Sequence, residues 1–302
     1  MRIDDWWFRY RDIIPDFERF LDALRRPPPV YVRTNPRRTS APALRARLAA
    51  RGARLEPAPI PGAFLAAGLE RPGVTVEFVL GHYYVQGLTS MLPALALSPE
   101  PGQKILDLCA APGSKTTQIA DMIEDRGLLV ANDVKIPRLR ALQSNLERLG
   151  VTCSAVTSYR GESFPGRIPF DRVLVDAPCS GEGTWREVPP RRSRDWDPAQ
   201  CERLRPAQLR LLARAADLVA PGGLLVYSTC TYAPEENEAV VDELLGTRPD
   251  LSLEPVSLPV PHAPGLTGWQ GRTFRRELAF AARVYPHLVD SWGFFVARLR
   301  RA

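Results

Sequence analysis

No stretch of this sequence reaches the ~20 consecutive apolar residues that a bilayer-spanning helix requires. That excludes an integral membrane helix. The first residues also lack the apolar core of a secretory leader, since Trp6, Trp7, Phe8 and Arg9 are aromatic and charged. A cytoplasmic location is therefore expected. The five cysteines, Cys109, Cys153, Cys179, Cys201 and Cys230, are odd in number and contain no Cys-x-x-Cys pair. This argues against a zinc site and against a disulfide framework. The common phosphate signatures are missing too: there is no GxGxxG, and Ser114 interrupts what would otherwise be Gly-Lys-Ser/Thr. No internal repeat is visible.

What is present is the composition of an ordinary globular protein, 302 residues with 45% hydrophobic and 25% charged. That length suits one large domain with a small one, or two of middle size. Forty Lys and Arg against 34 Asp and Glu leave a formal charge of +6. Such an excess suits a phosphate-rich partner, although a GC-rich genome also favours Arg, Pro and Ala.

Residues 1–80 form one compositional unit. Trp6–Leu24 predicts a helix with Ile13, Ile14, Phe17, Phe20, Leu21 and Leu24 on one face. Pro27-Pro28-Pro29 ends it, Val30–Arg33 predicts a short strand, and Leu44 with Leu48 marks a second helix. This is a small α+β module. Residues 81–302 hold the rest, and from Gly102 strands alternate with helices, the pattern of a doubly wound sheet. Strands are expected at Lys104–Cys109, Leu128–Asn132, Ser154–Thr157, Arg172–Val175 and Leu224–Ser228. Helices are expected at Thr116–Ile123, Pro137–Leu149, Ala199–Val219 and Glu235–Leu245. Two tail strands follow, Ala281–Tyr285 and Gly293–Leu299, the second suited to an antiparallel position.

Four strand ends could carry chemistry. Leu106–Thr117 is a strand, a tight loop of small residues and a helix start, which lets a ligand approach backbone N–H groups. The next strand ends in Asn132-Asp133, placed for ribose hydroxyls at the switch point of the sheet. A nucleoside-containing ligand is implied. Arg172–Val175 runs into Asp176-Ala177-Pro178-Cys179-Ser180-Gly181-Glu182-Gly183, an acid and a thiol released into flexible backbone. Leu225–Ser228 runs into Thr229-Cys230, a second thiol. If the two strands are neighbours, Cys179 and Cys230 face one crevice. Paired thiols beside a nucleoside pocket suit alkylation of a pyrimidine at carbon 5. A thiolate adding to carbon 6 makes carbon 5 nucleophilic, an acid such as Asp176 steadies the adduct, and a base frees the product.

These motifs resemble the Nop2/Sun-type RNA 5-methylcytosine methyltransferases, from Gly81–Gln86 and Ser90–Pro93 almost to the C-terminus. The resemblance implies a Rossmann-like α/β fold, a mostly parallel sheet with an antiparallel last strand, and S-adenosylmethionine as cofactor. Its cofactor signature falls on Cys109, Ala110, Ala111, Pro112, Gly113, Ser114 and Lys115, then Asp133 and Arg138, with Asp176 close by. By the same resemblance Cys230 is the nucleophile, Cys179 assists product release and Asp176 contacts the base. Tyr227–Cys230 continuing into Glu235-Glu236-Asn237-Glu238 matches the family, as do Arg283, Pro286-His287 and Gly293–Ala297. Residues 1–80, with Val32-Arg33-Thr34-Asn35, resemble its small RNA-binding domain. Arg160 departs from the pattern: Ser158-Tyr159-Arg160-Gly161 puts it where the family has an acid near the adenine, and Glu162 is the candidate substitute.

The partner implied is ribosomal or transfer RNA, bound by a monomer; no further C-terminal RNA-binding domain is visible. His82, His287, the basic Arg298, Arg300 and Arg301, and the segment Arg191-Arg192-Ser193-Arg194-Asp195-Trp196 could also meet RNA. Two rivals remain. A DNA cytosine methyltransferase uses the Pro-Cys thiol and needs no second thiol, which the pair Cys179 and Cys230 argues against. An RNA-binding ribosome-assembly factor without catalysis would tolerate Arg160.

Overall fold

The computed structural model describes residues 5–186 and 197–302. The basic run Arg191–Trp196 lies outside the described residues. Fifteen strands and eight α-helices are named here in chain order, starting with α1 (Phe17–Leu24), β1 (Tyr31–Thr34), α2 (Ala41–Ala49), β2 (Arg54–Pro57), β3 (Ala63–Ala67), α3 (Val76–Val79), β4 (Tyr83–Val85) and α4 (Leu92–Leu97). Next come β5 (Lys104–Asp107), α5 (Ser114–Met122), β6 (Leu128–Asn132), α6 (Ile136–Leu149), β7 (Ser154–Thr157) and β8 (Phe170–Asp176). The remainder is α7 (Ala199–Leu218), β9 (Val219–Thr229), α8 (Glu238–Thr247), β10 (Leu251–Glu254), β11 (Ala263–Pro264), β12 (Gly268–Trp269), β13 (Arg272–Thr273), β14 (Ala282–Val284) and β15 (Phe294–Arg301).

The large sheet runs β7-β6-β5-β8-β9-β15-β14-β11, with β10 also on β15. Strands β5 to β9 pair in parallel, and β15 lies antiparallel to β9, as its position in the tail predicts. From β5 the chain winds outward through β6 and β7, then returns to place β8 and β9 on the other side. Ligands bind where such a reversal opens a crevice at the strand ends. The central strands β5, β6, β8 and β9 carry Val, Leu and Ile runs because helices cover both faces; Val173, Leu174 and Val175 of β8 are fully buried.

The helix expected over Trp6–Leu24 is divided into a 3₁₀ turn, Asp5–Tyr10, and α1. Pro15 has no N–H to donate, and Asp16 at the start of α1 sits at φ 50°. The break lets Trp7 and Phe20 both reach Tyr232, with ring centroids 5.9 and 5.3 Å away. These N-terminal aromatics therefore belong to the core of the large sheet. The small sheet, β2-β3-β1-β4, is completed by Tyr83–Val85, beyond residue 80. A cut at residue 80 thus follows neither packing unit.

Arg33 and Asn35, expected in an RNA-facing segment, act as the joint between the two sheets. Arg33 is 5% exposed and forms an ion pair with Asp121, donating as well to Gln86 Oε1 at 3.0 Å and Thr117 Oγ1 at 2.9 Å. Asn35 Nδ2 donates to the carbonyls of Gly81 and Leu149 at 2.8 and 2.9 Å. Removing Arg33 leaves Asp121 to Arg37 alone and takes the buried donor away from Gln86 and Thr117. Arg33→Ala is accordingly expected to destabilise the protein by about 1–3 kcal/mol, measured by urea unfolding.

Candidate active site

Strands β8 and β9 are parallel neighbours with Asp176 opposite Ser228, so the two loops that follow leave the sheet side by side. Cys179 Sγ and Cys230 Sγ meet at 3.4 Å. Backbone and buried polar groups hold the first loop in place. Ser180 N and Gln208 Nε2 donate to Glu236 Oε2 at 3.0 and 2.7 Å, and Gln208 Nε2 also donates to Pro178 O at 2.9 Å. Gly183 N donates to Cys230 O at 2.9 Å, tying the two thiol loops together. A Cβ on Gly183 would fall 2.7 Å from both Cys230 O and Gly293 O, which accounts for the second glycine of the motif.

The Cys230 hydrogen bond, followed by burial, pushes the Cys179 thiol well above the ordinary thiol range. Cys179 is therefore held in its protonated form beside the Cys230 sulfur. Burial and the carboxylates of Asp107, Asp176 and Asp133 push Cys109 upward as well, which leaves it a neutral wall residue. Asp176 Oδ2 accepts from Lys115 Nζ at 2.7 Å and its Oδ1 from Ser228 Oγ at 2.8 Å. Lys115 Nζ also donates to Ser90 Oγ at 3.3 Å and lies 5.1 Å from the centroid of the Phe294 ring. Lys115, expected with the cofactor loop, is thus found on the acid beside the thiols.

Next to this pair opens a cavity of about 260 Å³ lined by Cys109, Asp133, Arg138, Arg160, Glu162 and Pro178, among others. Asp133 is 3% exposed; its Oδ1 accepts from Lys135 N at 2.9 Å and its Oδ2 lies 3.0 Å from Arg138 NH1. Arg138 also donates to Ala111 O. Asn132 is committed elsewhere: it bonds Leu108 O, Tyr159 O, Tyr159 N and Thr157 Oγ1, and so fastens the strand ends around the cavity. Ala110, Ala111 and Pro112 form the turn before α5, with Gly113 at φ 103° and Leu142 Cδ1 only 2.8 Å from where a Cβ would stand. Ser114 opens α5. Arg160 is mostly exposed and pairs with Glu162.

Neither His82 nor His287 joins the thiols. The backbone carbonyl of His82 accepts from Asn35 N, and His287 stacks on Tyr285 at 5.8 Å within the aromatic cluster. Two acids escaped the sequence reading. Asp107 is 1% exposed, accepts from Thr116 Oγ1 at 2.7 Å, and is pushed up to about 7 by burial; an acid inside the apolar run Leu106-Asp107-Leu108 was the available signal. Glu182 is fully buried, accepts from Tyr10 OH at 2.5 Å and from Tyr232 N at 3.2 Å, and is pushed by burial to about 7, against the pull of the Tyr10 hydrogen bond. Its ordinary value is 4.5, so the folded protein holds this proton more tightly than the unfolded chain. The stabilisation is complete below the unfolded value and is lost as pH rises through the folded one. Stability is expected to fall between about pH 5 and about pH 8, and Glu182→Gln to flatten that slope, read by urea unfolding at both ends.

The comparisons with known proteins agree with this geometry. Residues 94–300 match the family model described as 16S rRNA methyltransferase RsmB/F. The chain belongs to that family. Its RsmB/F membership meets the expectation drawn from the motifs. A 26S rRNA (cytosine-C(5))-methyltransferase of Caenorhabditis elegans, nsun-1, is 39% identical over 97% of this chain and 46% of its own length. A tRNA (cytosine(49)-C(5))-methyltransferase of Pyrococcus abyssi is 41% identical over 76% of this chain and 73% of its own. A crystal structure of a methyltransferase homologue from Pyrococcus horikoshii superposes with a TM-score of 0.84 at 34% identity, covering 98% of this chain and 94% of that one. The fold is therefore the Rossmann-like methyltransferase sheet expected for the RsmB/F family. The chain spans between about a third and a half of the length of the first curated relatives it matches. No helix among the described residues is long and apolar enough to cross a membrane.

Proposed function

We propose that this chain methylates carbon 5 of a cytosine in RNA, with S-adenosylmethionine as donor. The supporting observation is the pair of thiols 3.4 Å apart at parallel strand ends, beside the Asp176–Lys115 pair. The cavity next to them fits the donor: Asp133 offers a buried carboxylate whose Oδ2 is held only by the ion pair with Arg138, itself on the cavity wall, and the Ala110–Gly113 turn leads into the N-terminus of α5. Asp133 would hold the ribose hydroxyls, and Cys109, Arg160 and Glu162 would line the remainder. Bound there, the donor supplies an electrophilic methyl group on a sulfonium sulfur.

Cys230 gives up its proton to solvent and adds as a thiolate to carbon 6 of the base, and the 5,6 double-bond electrons pass to the ring and carbon 5. Asp176 and Lys115 hold the polar edge of the ring while carbon 5 takes the methyl group. Once the Cys230 sulfur is bonded to carbon it is a weaker acceptor, which relaxes the contact that most raises Cys179. Cys179 then loses its proton to solvent and removes the remaining proton from carbon 5. The 5,6 bond re-forms and Cys230 leaves as a thiolate.

Relatives named for rRNA and for tRNA leave both RNAs as candidate substrates. We take the small sheet as part of the RNA-binding surface, and the working unit as a cytoplasmic monomer. Incubation with labelled donor and total RNA, followed by nucleoside analysis, tests the reading: label in 5-methylcytidine supports it, and label in any other nucleoside overturns it. Calorimetry tests the cofactor site. Asp133→Ala is expected to weaken donor binding at least about tenfold, whereas Arg160→Ala leaves it near wild type, because Arg160 is spent on Glu162.

A further inference from the structure

A second cavity, of about 520 Å³, lies at the joint between the small sheet and helices α4 and α5, and shares no residue with the one beside Asp133. Its size is that of a small-molecule site. The walls are largely apolar: Ile60 from the β2–β3 turn, Leu95 from α4 and Met122 from α5. Polar groups reach it from three sides of the joint. Thr34 is 7% exposed and lines the cavity with a hydroxyl that has no hydrogen-bond partner among the described residues. A buried hydroxyl left unpaired is unfavourable, so a ligand group that pairs with it relieves a real cost. Asp121 also lines the cavity, but Arg33 and Arg37 both hold that one carboxylate, leaving this wall net positive. Arg37 Nε and NH2 donate to nothing among the described residues. Finally, Ser40 and Ala41 bring the N-terminus of the nine-residue α2 to the cavity, adding the positive end of its dipole.

An apolar slot, a free hydroxyl and a positive rim complement a flat base, a sugar and a phosphate. We infer that this cavity takes one unpaired nucleotide of the RNA substrate and so helps to select that RNA. The inference rests on the RNA-methylating reading. Its geometry is compatible with one continuous strand. Helix α5 carries Lys115 at the thiol site and Met122 at the cavity, about 10 Å apart along its axis at 1.5 Å per residue. That is roughly three stacked nucleotides at about 3.4 Å each.

Two measurements test it. In protein labelled at Ile and Met methyl groups, millimolar nucleoside monophosphates should shift the Ile60 and Met122 signals. Ala41→Trp, which fills the cavity from the first turn of α2, should raise KM for RNA about tenfold while donor affinity by calorimetry stays at the wild-type value. Thr34→Val, which keeps the shape and deletes the hydroxyl, should raise KM in the same direction by less. Shifts with unchanged KM in both variants overturn the inference in favour of a free nucleotide as ligand. A raised KM without shifts overturns it too, since the contact is then on the surface. No shifts in a protein that methylates RNA sink the inference alone. Shifts in a protein that methylates no RNA sink the parent reading, and with it RNA as the source of the nucleotide.

Discussion

Cys230→Ala should lower methyl transfer to RNA by at least roughly 10⁴-fold, the scale on which removal of a covalent nucleophile acts. Carbon 5 of an intact cytosine is a poor nucleophile, so every later step waits on the bond to carbon 6. Of the two thiols that could make that bond, Cys179 is pushed towards its protonated form, and the largest cause is the Cys230 sulfur 3.4 Å away. Cys179 cannot simply take over the role, because Ser180 and Pro178 anchor its loop to Glu236 and Gln208. The cofactor cavity does not include Cys230, so donor binding by calorimetry should be unchanged and separates lost chemistry from lost folding. Label incorporation into RNA within an order of magnitude of wild type would remove Cys230 from the mechanism.

Cys179→Ala should have the opposite signature: slow turnover with accumulation of a covalent protein–RNA adduct. Without a base at carbon 5, the methylated adduct keeps its last proton and the bond from Cys230 to carbon 6 cannot break. Loss of a positioned base is worth about 10²–10⁴-fold in rate. On a denaturing gel the adduct should appear as a band of reduced mobility that depends on both RNA and donor. It should vanish in the double variant Cys179→Ala/Cys230→Ala. A double variant that still forms the band would mean that neither thiol attacks the base.

Much of this architecture was legible in the sequence because parallel strands write themselves as apolar runs with helices between them. The strand Leu128–Asn132 came out as expected, and the neighbouring positions of β8 and β9 followed from chain order. The conditional expectation that Cys179 and Cys230 face one crevice is met because Asp176 and Ser228 are in register. What stayed hidden depends on three-dimensional neighbours. Arg33 looked like a surface contact for RNA, yet its guanidinium is consumed by Asp121, Gln86 and Thr117, residues of later segments. Lys115 sits in the cofactor motif, but one turn of helix aims it at Asp176. The short strands β2, β3 and β4 were missed because they are only three to five residues long and acquire their pattern from pairing with β1 and one another. Pro15 divided a hydrophobic pattern that looked continuous, and in doing so carried Trp7 into the core behind Tyr232.

The most direct test of the two-thiol mechanism is peptide mapping of the adduct formed by Cys179→Ala with RNA and S-adenosylmethionine. After digestion of protein and RNA, mass spectrometry should find a methylated cytidine on the peptide containing Tyr227–Cys230, attached at Cys230. A nucleotide attached at any other residue, or no adduct from a variant that still binds the donor, would contradict the mechanism.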